Sequence, residues 1–307
     1  MKGSVKPGAG YPFGNAEGLQ LALLVDTKNP DKVMEEVGVI HHMIFPDMDL
    51  APLKRIFLDV LSLFDGNYPG YRACNIKYHD LQHTMDTLLG IMRLIHGATV
   101  SKHPFSQKEI SLGLASALLH DTGYMQTVDD RKGTGAKYTL THINRSIDFM
   151  ERYFTERGFS KDDVAFCSAI LKCTGLNVRI EKIPFLSPEN EILGKMLGTA
   201  DLLGQMADRA YLEKLPSLFQ EFKEGKVPGF KTELDLLRVT PQFYTMTKKR
   251  LKTQLGSVDK YMGEHFRVRW NIEKDLYGIA IEKQIRYLDY VLENYPDDYR
   301  QYLRRGI

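Results

Sequence analysis

The chain has 307 residues, 43% of them hydrophobic and 26% charged, with a formal net charge of +2. That is enough apolar material for a substantial core, and too weak a global field to argue for nucleic acid or an anionic membrane as partner. Three cysteines, Cys74, Cys167 and Cys173, form neither a paired framework nor a zinc-finger pattern, and "MKGSVKPGAGYPFG" lacks the apolar core of a signal peptide. Together these read as reduced thiols in a cytoplasmic protein, and no apolar run reaches bilayer-spanning length.

Residues 1–15 are rich in Gly and Pro and are expected to be loosely held. Residues 1–49 are read as an N-terminal extension packing on one main domain, 50–307. "LAPLKRIFLDVLSLF" (Leu50 to Phe64) has helical apolar spacing and stops at the turn formers "DGNYPGY". A long helix is expected from about Lys77 to Ile95, ended by Gly97. "EISLGLASALLH" (Glu109 to His120) is apolar on all sides, which suits a central helix. Gly133 and Gly135 mark a loop, and the phosphate-loop ending is missing from it. A helix near His142 then shares Ile143, Ile147 and Phe154 on one face.

Ser160 opens a further helix that runs to about Cys173. "SPENEILGKMLGTADLLGQMADR" begins with a Ser cap, Pro at the first helical position and Glu in the first turn, a strong start signal. Two amphipathic stretches follow "KEGKVPGF", about Thr240 to Glu264 and Glu273 to Asn294. Alternating strands are absent from the pattern, so the expected class is all-α, a compact multi-helix domain.

A divalent cation needs neutral imidazoles and carboxylates converging from several elements. The candidates are His83, the His120-Asp121 pair and Asp201. In a continuous helix His79 and His83 would point the same way one turn apart, so that one could bind metal while the other faces a substrate. Each residue alone has an ordinary structural reading: Asp after His can cap a turn, and Asp201 can be a buried, hydrogen-bonded acid. The ordered set carries the argument.

That set, with "YHDLQHTMD" (Tyr78 to Asp86), His120-Asp121 and "GTADLLG" around Asp201, resembles the HD phosphohydrolase superfamily. More closely it is similar to the catalytic domain of class I cyclic nucleotide phosphodiesterases. "LFQEFKEGK" (Leu218 to Lys226) resembles that family's stretch after the metal aspartate, and "EKQIRYLDYV" (Glu282 to Val291) its base-binding segment. The resemblance covers about residues 50 to 295 and makes 50–307 an HD/PDEase-like catalytic domain.

It implies a hydrolase acting on a nucleotide phosphoester, foremost a 3',5'-cyclic nucleotide converted to the 5'-nucleotide. His83, His120, Asp121 and Asp201 would hold one ion, with Asp121 reaching a second. The cofactor would be one or two of Zn, Fe, Mn or Mg per chain, with water activated by the metal as nucleophile and His79 as general acid. Gln284 would bind the base and Tyr287 stack on it, although both can equally edge a core stripe. His142 and Asp86 are candidates for a second metal or for orienting the ligands. Tyr124 stands where those phosphodiesterases have a further histidine, and Asp80 where they have asparagine, which bears on the second-metal site.

Alternatives within the enzyme class are an HD-type nucleotidase, another small-phosphoester hydrolase or a di-iron oxygenase. From another class comes a non-catalytic nucleotide-binding signalling module. The expected partner is a small-molecule nucleotide, with no nucleic acid and no membrane, and a homodimer is left open.

Overall fold

The computed structural model describes residues 20–47 and 49–303, and the Gly/Pro-rich stretch 1–15 lies outside the described residues. It is all-α, with no strand among the described residues. Twelve α-helices follow in order: α1 (Pro30–Ile44), α2 (Ala51–Phe64), α3 (Leu81–Val100), α4 (Gln107–Leu119), α5 (His142–Glu156), α6 (Lys161–Lys172), α7 (Pro188–Ala207), α8 (Tyr211–Glu224), α9 (Glu233–Thr253), α10 (Lys260–Trp270), α11 (Leu276–Asn294) and α12 (Tyr299–Leu303). No helix among the described residues is long and apolar enough to cross a membrane.

The start signals act as the sequence suggests. Ser160 and Asp163 form a reciprocal capping box on α6, and Ser187 accepts from the Asn190 amide ahead of α7. Helix α4 is buried on all sides, as its composition requires. The packing centre is α3, which lies against α1, α4, α7 and α10 and is buried along nearly all its length. Where α3 crosses α7, a Cβ on Gly90 would meet the Cβ of Ala200 at 3.1 Å, so two small residues set how closely the helices approach. That approach brings the α3 and α7 side chains of the candidate site together.

Four expectations need correction. Helix α3 begins at Leu81, since Asp80 is its N-cap and accepts from the His83 amide at 2.9 Å; His79 therefore precedes the helix. Gly97 does not end α3, which runs to Val100; a Cβ there would sit 1.9 Å from the Tyr261 carbonyl oxygen, so this glycine admits α10. The stretch Thr240 to Glu264 is two helices, broken where Gly256 and Ser257 adopt φ of 67° and 53°. Helices α1 and α8 were not anticipated. Asn29 caps α1 and Pro30 takes its first position. Val33, Val37 and Ile40 are fully buried, and Arg269 of α10 grips Glu36 through Nε and Nη2 at 3.2 and 3.1 Å.

Two buried histidines tie α3 to α10: His96 and His265 meet through their Nδ1 atoms at 3.2 Å. Burial pushes His265 down to about 2 and His96 to about 4, with Arg269 adding to both and Arg93 to His265. Both sit below the ordinary value of about 6.5, so the unfolded chain takes up the protons first. The contribution of this pair to stability is expected to be level above about pH 6.5 and to fall as pH drops toward 4, by up to about 1.4 kcal/mol per pH unit for each proton taken up. Urea unfolding midpoints across pH 4–8 check this. A slope unchanged in His265→Asn would assign the acid sensitivity elsewhere.

Candidate metal centre

His83 lies in the first turn of α3, His120 follows the last residue of α4, Asp121 opens the short turn Thr122–Tyr124, and Asp201 sits two-thirds along α7. Their donor atoms converge. His83 Nε2 is 3.3 Å from Asp121 Oδ2, 3.1 Å from Asp201 Oδ1 and 3.2 Å from His120 Nε2. His120 Nε2 is 3.3 Å from Asp121 Oδ2 and 3.9 Å from Asp201 Oδ1. A cation with N and O ligands at ~2.0–2.2 Å places neighbouring donors roughly 3.0–3.5 Å apart, so this spacing fits a shared ion. His83, His120 and Asp121 could hold a metal ion as a buried trio, and Asp201 borders it, 3.1 Å from His83.

The chemistry of the donors agrees with the spacing. His120 Nδ1–H donates to the Ala117 carbonyl at 2.8 Å, which fixes the tautomer and leaves the Nε2 lone pair facing the cluster. Asp121 Oδ2 is buried with no hydrogen-bond donor of its own, an arrangement that is costly unless a cation compensates it. Burial lowers the pKa of His83, but the Asp121 and Asp201 carboxylates, which accept from its ring, outweigh it and hold the group at about 10. The Asp121 carboxyl is held well below the usual carboxylate range; burial opposes this, and the His120 and His83 imidazoles prevail. Behind Asp201, Gln205 donates to Oδ1 at 2.6 Å and in turn accepts from the Tyr78 hydroxyl at 3.2 Å.

Backbone packing holds the His-Asp corner. The Ser146 hydroxyl donates to the His120 carbonyl at 2.5 Å and accepts from the Gly123 amide at 2.9 Å. A Cβ on Gly123 would lie 1.9 Å from the His142 carbonyl oxygen, so no side chain fits there. Gly123→Ala is expected to push α5 away from Asp121, lowering Tm by several degrees and weakening divalent-ion uptake at least tenfold. Metal titration of the purified variant checks this, and wild-type affinity would remove Gly123 from the account.

His79 stands beside the cluster on the backbone just before the Asp80 cap, its ring 5.8 Å from that of His83. Its Nδ1 is 2.7 Å from Glu221 Oε2 on α8. Glu221 is buried, and its other oxygen accepts from the Lys77 and Tyr78 amides at 3.0 and 2.6 Å. This carboxylate is therefore locked by the same bend that carries His79. Sequence reasoning singled out Leu218 to Lys226 but named no residue in it; a glutamate amid polar neighbours gives no sign of burial until α8 is placed.

Tyr124 is buried and stacks against two imidazoles, 4.6 Å from the His79 ring and 4.5 Å from that of His142, which lie 6.3 Å apart. His142 donates from Nδ1 to the Thr139 carbonyl at 2.7 Å, and its Nε2 is 3.8 Å from Asp121 Oδ1. Burial lowers its pKa, which favours neutral imidazole. His79, Asp201 and His142 keep 12, 11 and 20% of their side-chain surfaces exposed, so these three retain contact with solvent where His83, His120 and Asp121 are buried.

Other candidates lie apart from this centre. Asp86 does not orient His83, whose Nδ1 has no partner; it faces a separate cavity, and its carboxyl is pushed up to about 7 by burial. Asp80 caps α3 and pairs with Lys214 at 3.3 Å. Gln284 is buried and donates to the Asp208 carbonyl at 2.7 Å beyond the end of α7, and the Tyr287 hydroxyl donates to the Tyr302 carbonyl at 2.7 Å. Both side chains are engaged in holding helices together.

Residues 70–258 match the model of one family, described as Npun_R2479-like, and this span covers well over half the chain. The chain belongs to the Npun_R2479-like family. The matched span contains His79, His83, His120, Asp121, His142, Asp201 and Glu221, while Gln284 and Tyr287 fall outside it. The Npun_R2479-like segment thus runs from the bend before α3 through α9 and includes the whole cluster. No curated protein and no solved structure matches the chain.

Proposed function

We propose that this Npun_R2479-like protein is a metal-dependent phosphohydrolase of small phosphoesters, with nucleotides as the first class to test and a 3',5'-cyclic nucleotide foremost among them. The observation that carries the reading is the pairing of the His83–His120–Asp121 cluster, bordered by Asp201, with a histidine outside it, His79, tethered by Glu221. A pure ion-binding site has no use for that second element.

His83, His120, Asp121 and Asp201 would hold the ion. Bound there, a divalent cation supplies Lewis acidity toward phosphoryl oxygens and lowers the pKa of water. The chain's own residues supply the rest. Glu221 fixes the His79 ring through Nδ1–H; as the imidazolium the ring would also carry Nε2–H, the proton to be given to the departing alkoxide, which is a poor leaving group without one. Tyr124 stacks on that ring and limits its rotation, and His142 stacks on Tyr124 in turn. The 3.8 Å gap between Asp121 Oδ1 and His142 Nε2 supports a second ion held by those two groups.

The alternative of a binding module draws no support from the tethered His79. Cyclic-nucleotide specificity rests on the likeness of the metal motifs alone, because Gln284 and Tyr287 are engaged elsewhere. Elemental analysis of the purified chain, followed by assay of cyclic nucleotides, nucleoside monophosphates and bis(p-nitrophenyl) phosphate with Mn²⁺ or Mg²⁺, tests the proposal. Turnover that tracks metal content is expected. A metal-loaded protein inert toward all three classes would overturn it.

A further inference from the structure

Asp201 faces the buried trio with an oxygen that has a second partner. Its Oδ1 is 3.1 Å from His83 Nε2, and Gln205 Nε2 donates to the same atom at 2.6 Å. Gln205 lies one turn beyond Asp201 on α7, the spacing at which side chains on a helix meet, so this bond alone would be an ordinary helix pair. Two observations take it further. Asp201 is buried, and the other end of the Gln205 amide is held as well: Oε1 accepts from the Tyr78 hydroxyl at 3.2 Å, across 127 residues of chain.

The direction of this chain of bonds is fixed. Burial would raise the Asp201 carboxyl, but the His83 imidazole outweighs it and holds the group below its ordinary value, as an anion. A carboxylate only accepts, so the Gln205 NH2 faces Asp201; the amide oxygen then faces Tyr78, whose hydroxyl donates. Tyr78 also belongs to the bend that carries His79. Glu221 on α8 accepts from the Lys77 and Tyr78 amides and meets His79 Nδ1, so the bend is gripped twice, by Glu221 along its backbone and by Gln205 through the Tyr78 side chain. We propose that Gln205 is a positioning residue of this centre: its amide holds Asp201 against the His83–His120–Asp121 trio and, through the Tyr78 hydroxyl, ties that carboxylate to the bend carrying His79. The inference rests on the metal reading, and its part about His79 rests also on the phosphohydrolase reading.

An amide suits this place for a physical reason. Asp201 has to keep its negative charge and a lone pair for a cation. An amide donates one hydrogen bond and brings no charge, whereas a Lys or Arg at the same position would neutralise Asp201 and repel the ion. Tyr78 is buried, and its ring lies edge-on to that of His79 with the centroids 5.0 Å apart, so a displaced Tyr78 disturbs the neighbouring imidazole. Gln205 is only half-buried, which leaves room to replace it without opening the core.

Titration calorimetry of the full chain with Mn²⁺ and with Zn²⁺ tests this on wild type, Gln205→Met, Tyr78→Phe and the double variant. Gln205→Met keeps the side-chain length and loses both bonds, and is expected to weaken ion binding by about 10–100-fold. Tyr78→Phe keeps the ring and loses only the hydroxyl, and should weaken binding in the same direction by a smaller factor. Adding Tyr78→Phe to Gln205→Met is expected to cost nothing more, because the hydroxyl acts through the Gln205 amide, whereas unrelated structural effects would add. At saturating ion, Gln205→Met should lower turnover of an alkyl phosphoester more than that of a p-nitrophenyl ester, whose leaving group departs without a proton from His79. Wild-type affinity in Gln205→Met, or losses that add in the double variant, would overturn the proposal with the metal reading intact, and equal rate losses on the two esters would overturn the tie to His79. A wild-type chain that takes up neither ion would overturn the metal reading and this inference together. One that binds an ion and turns over neither ester would overturn the phosphohydrolase reading, with the affinity comparison still deciding the role of Gln205.

Discussion

His79→Ala is expected to lower turnover of an alkyl phosphoester by about 10²–10⁴-fold while leaving divalent-ion content unchanged. The reason is positional: His79 stands outside the donor cluster, and its Nδ1 is taken by Glu221 at 2.7 Å. Its loss removes a proton source and no ligand. Glu221→Gln should give a smaller loss of about 10–100-fold, since the amide can still accept from the Lys77 and Tyr78 amides but no longer presents an anion to the ring. The discriminating readout is the leaving group. With p-nitrophenolate, which departs without protonation, both defects should shrink toward wild type, whereas a ligand role would cost activity on every substrate and deplete the ion.

Chelation is expected to lower Tm by roughly 3–5 °C relative to protein held at about 100 times its dissociation constant for the ion, the difference that ~2.7 kcal/mol of binding linkage makes in a chain of this size. The physical source is the burial of Asp121 and Asp201 with two imidazoles, charges that a cation neutralises together. Scanning calorimetry with and without EDTA, repeated on His83→Ala, checks it. The variant should show no response to chelator. An equal response in both proteins would place the stabilising ion somewhere other than this cluster.

The candidate site was partly legible in the sequence because its donors are chemically conspicuous. A His-Asp pair at the end of an all-apolar helix and an aspartate in a small-residue helix stand out from their surroundings, and both helices formed as their capping and patterning suggest. The relation of His79 to His83 was misjudged for a local reason. Histidine spacing by itself implies a continuous helix, but Asp80 competes for the His83 amide and starts the helix one turn later. The base-binding assignment to Gln284 and Tyr287 rested on segment likeness. Their amide and hydroxyl are instead satisfied by the Asp208 and Tyr302 carbonyls, contacts that no neighbouring residue announces.

By itself the sequence determined the helical class, most of the helix starts, and the identity of four residues with the right chemistry for a divalent ion, because caps, apolar periodicity and donor type are properties of residues and their near neighbours. Only the tertiary structure decided that the other three donors lie 3.1–3.3 Å from His83 Nε2, that Glu221 anchors His79 across 142 residues of chain, and that Tyr124 stacks against two imidazoles. Such pairings depend on how α3, α7 and α8 pack, and packing joins residues whose separation along the chain carries no trace of the contact.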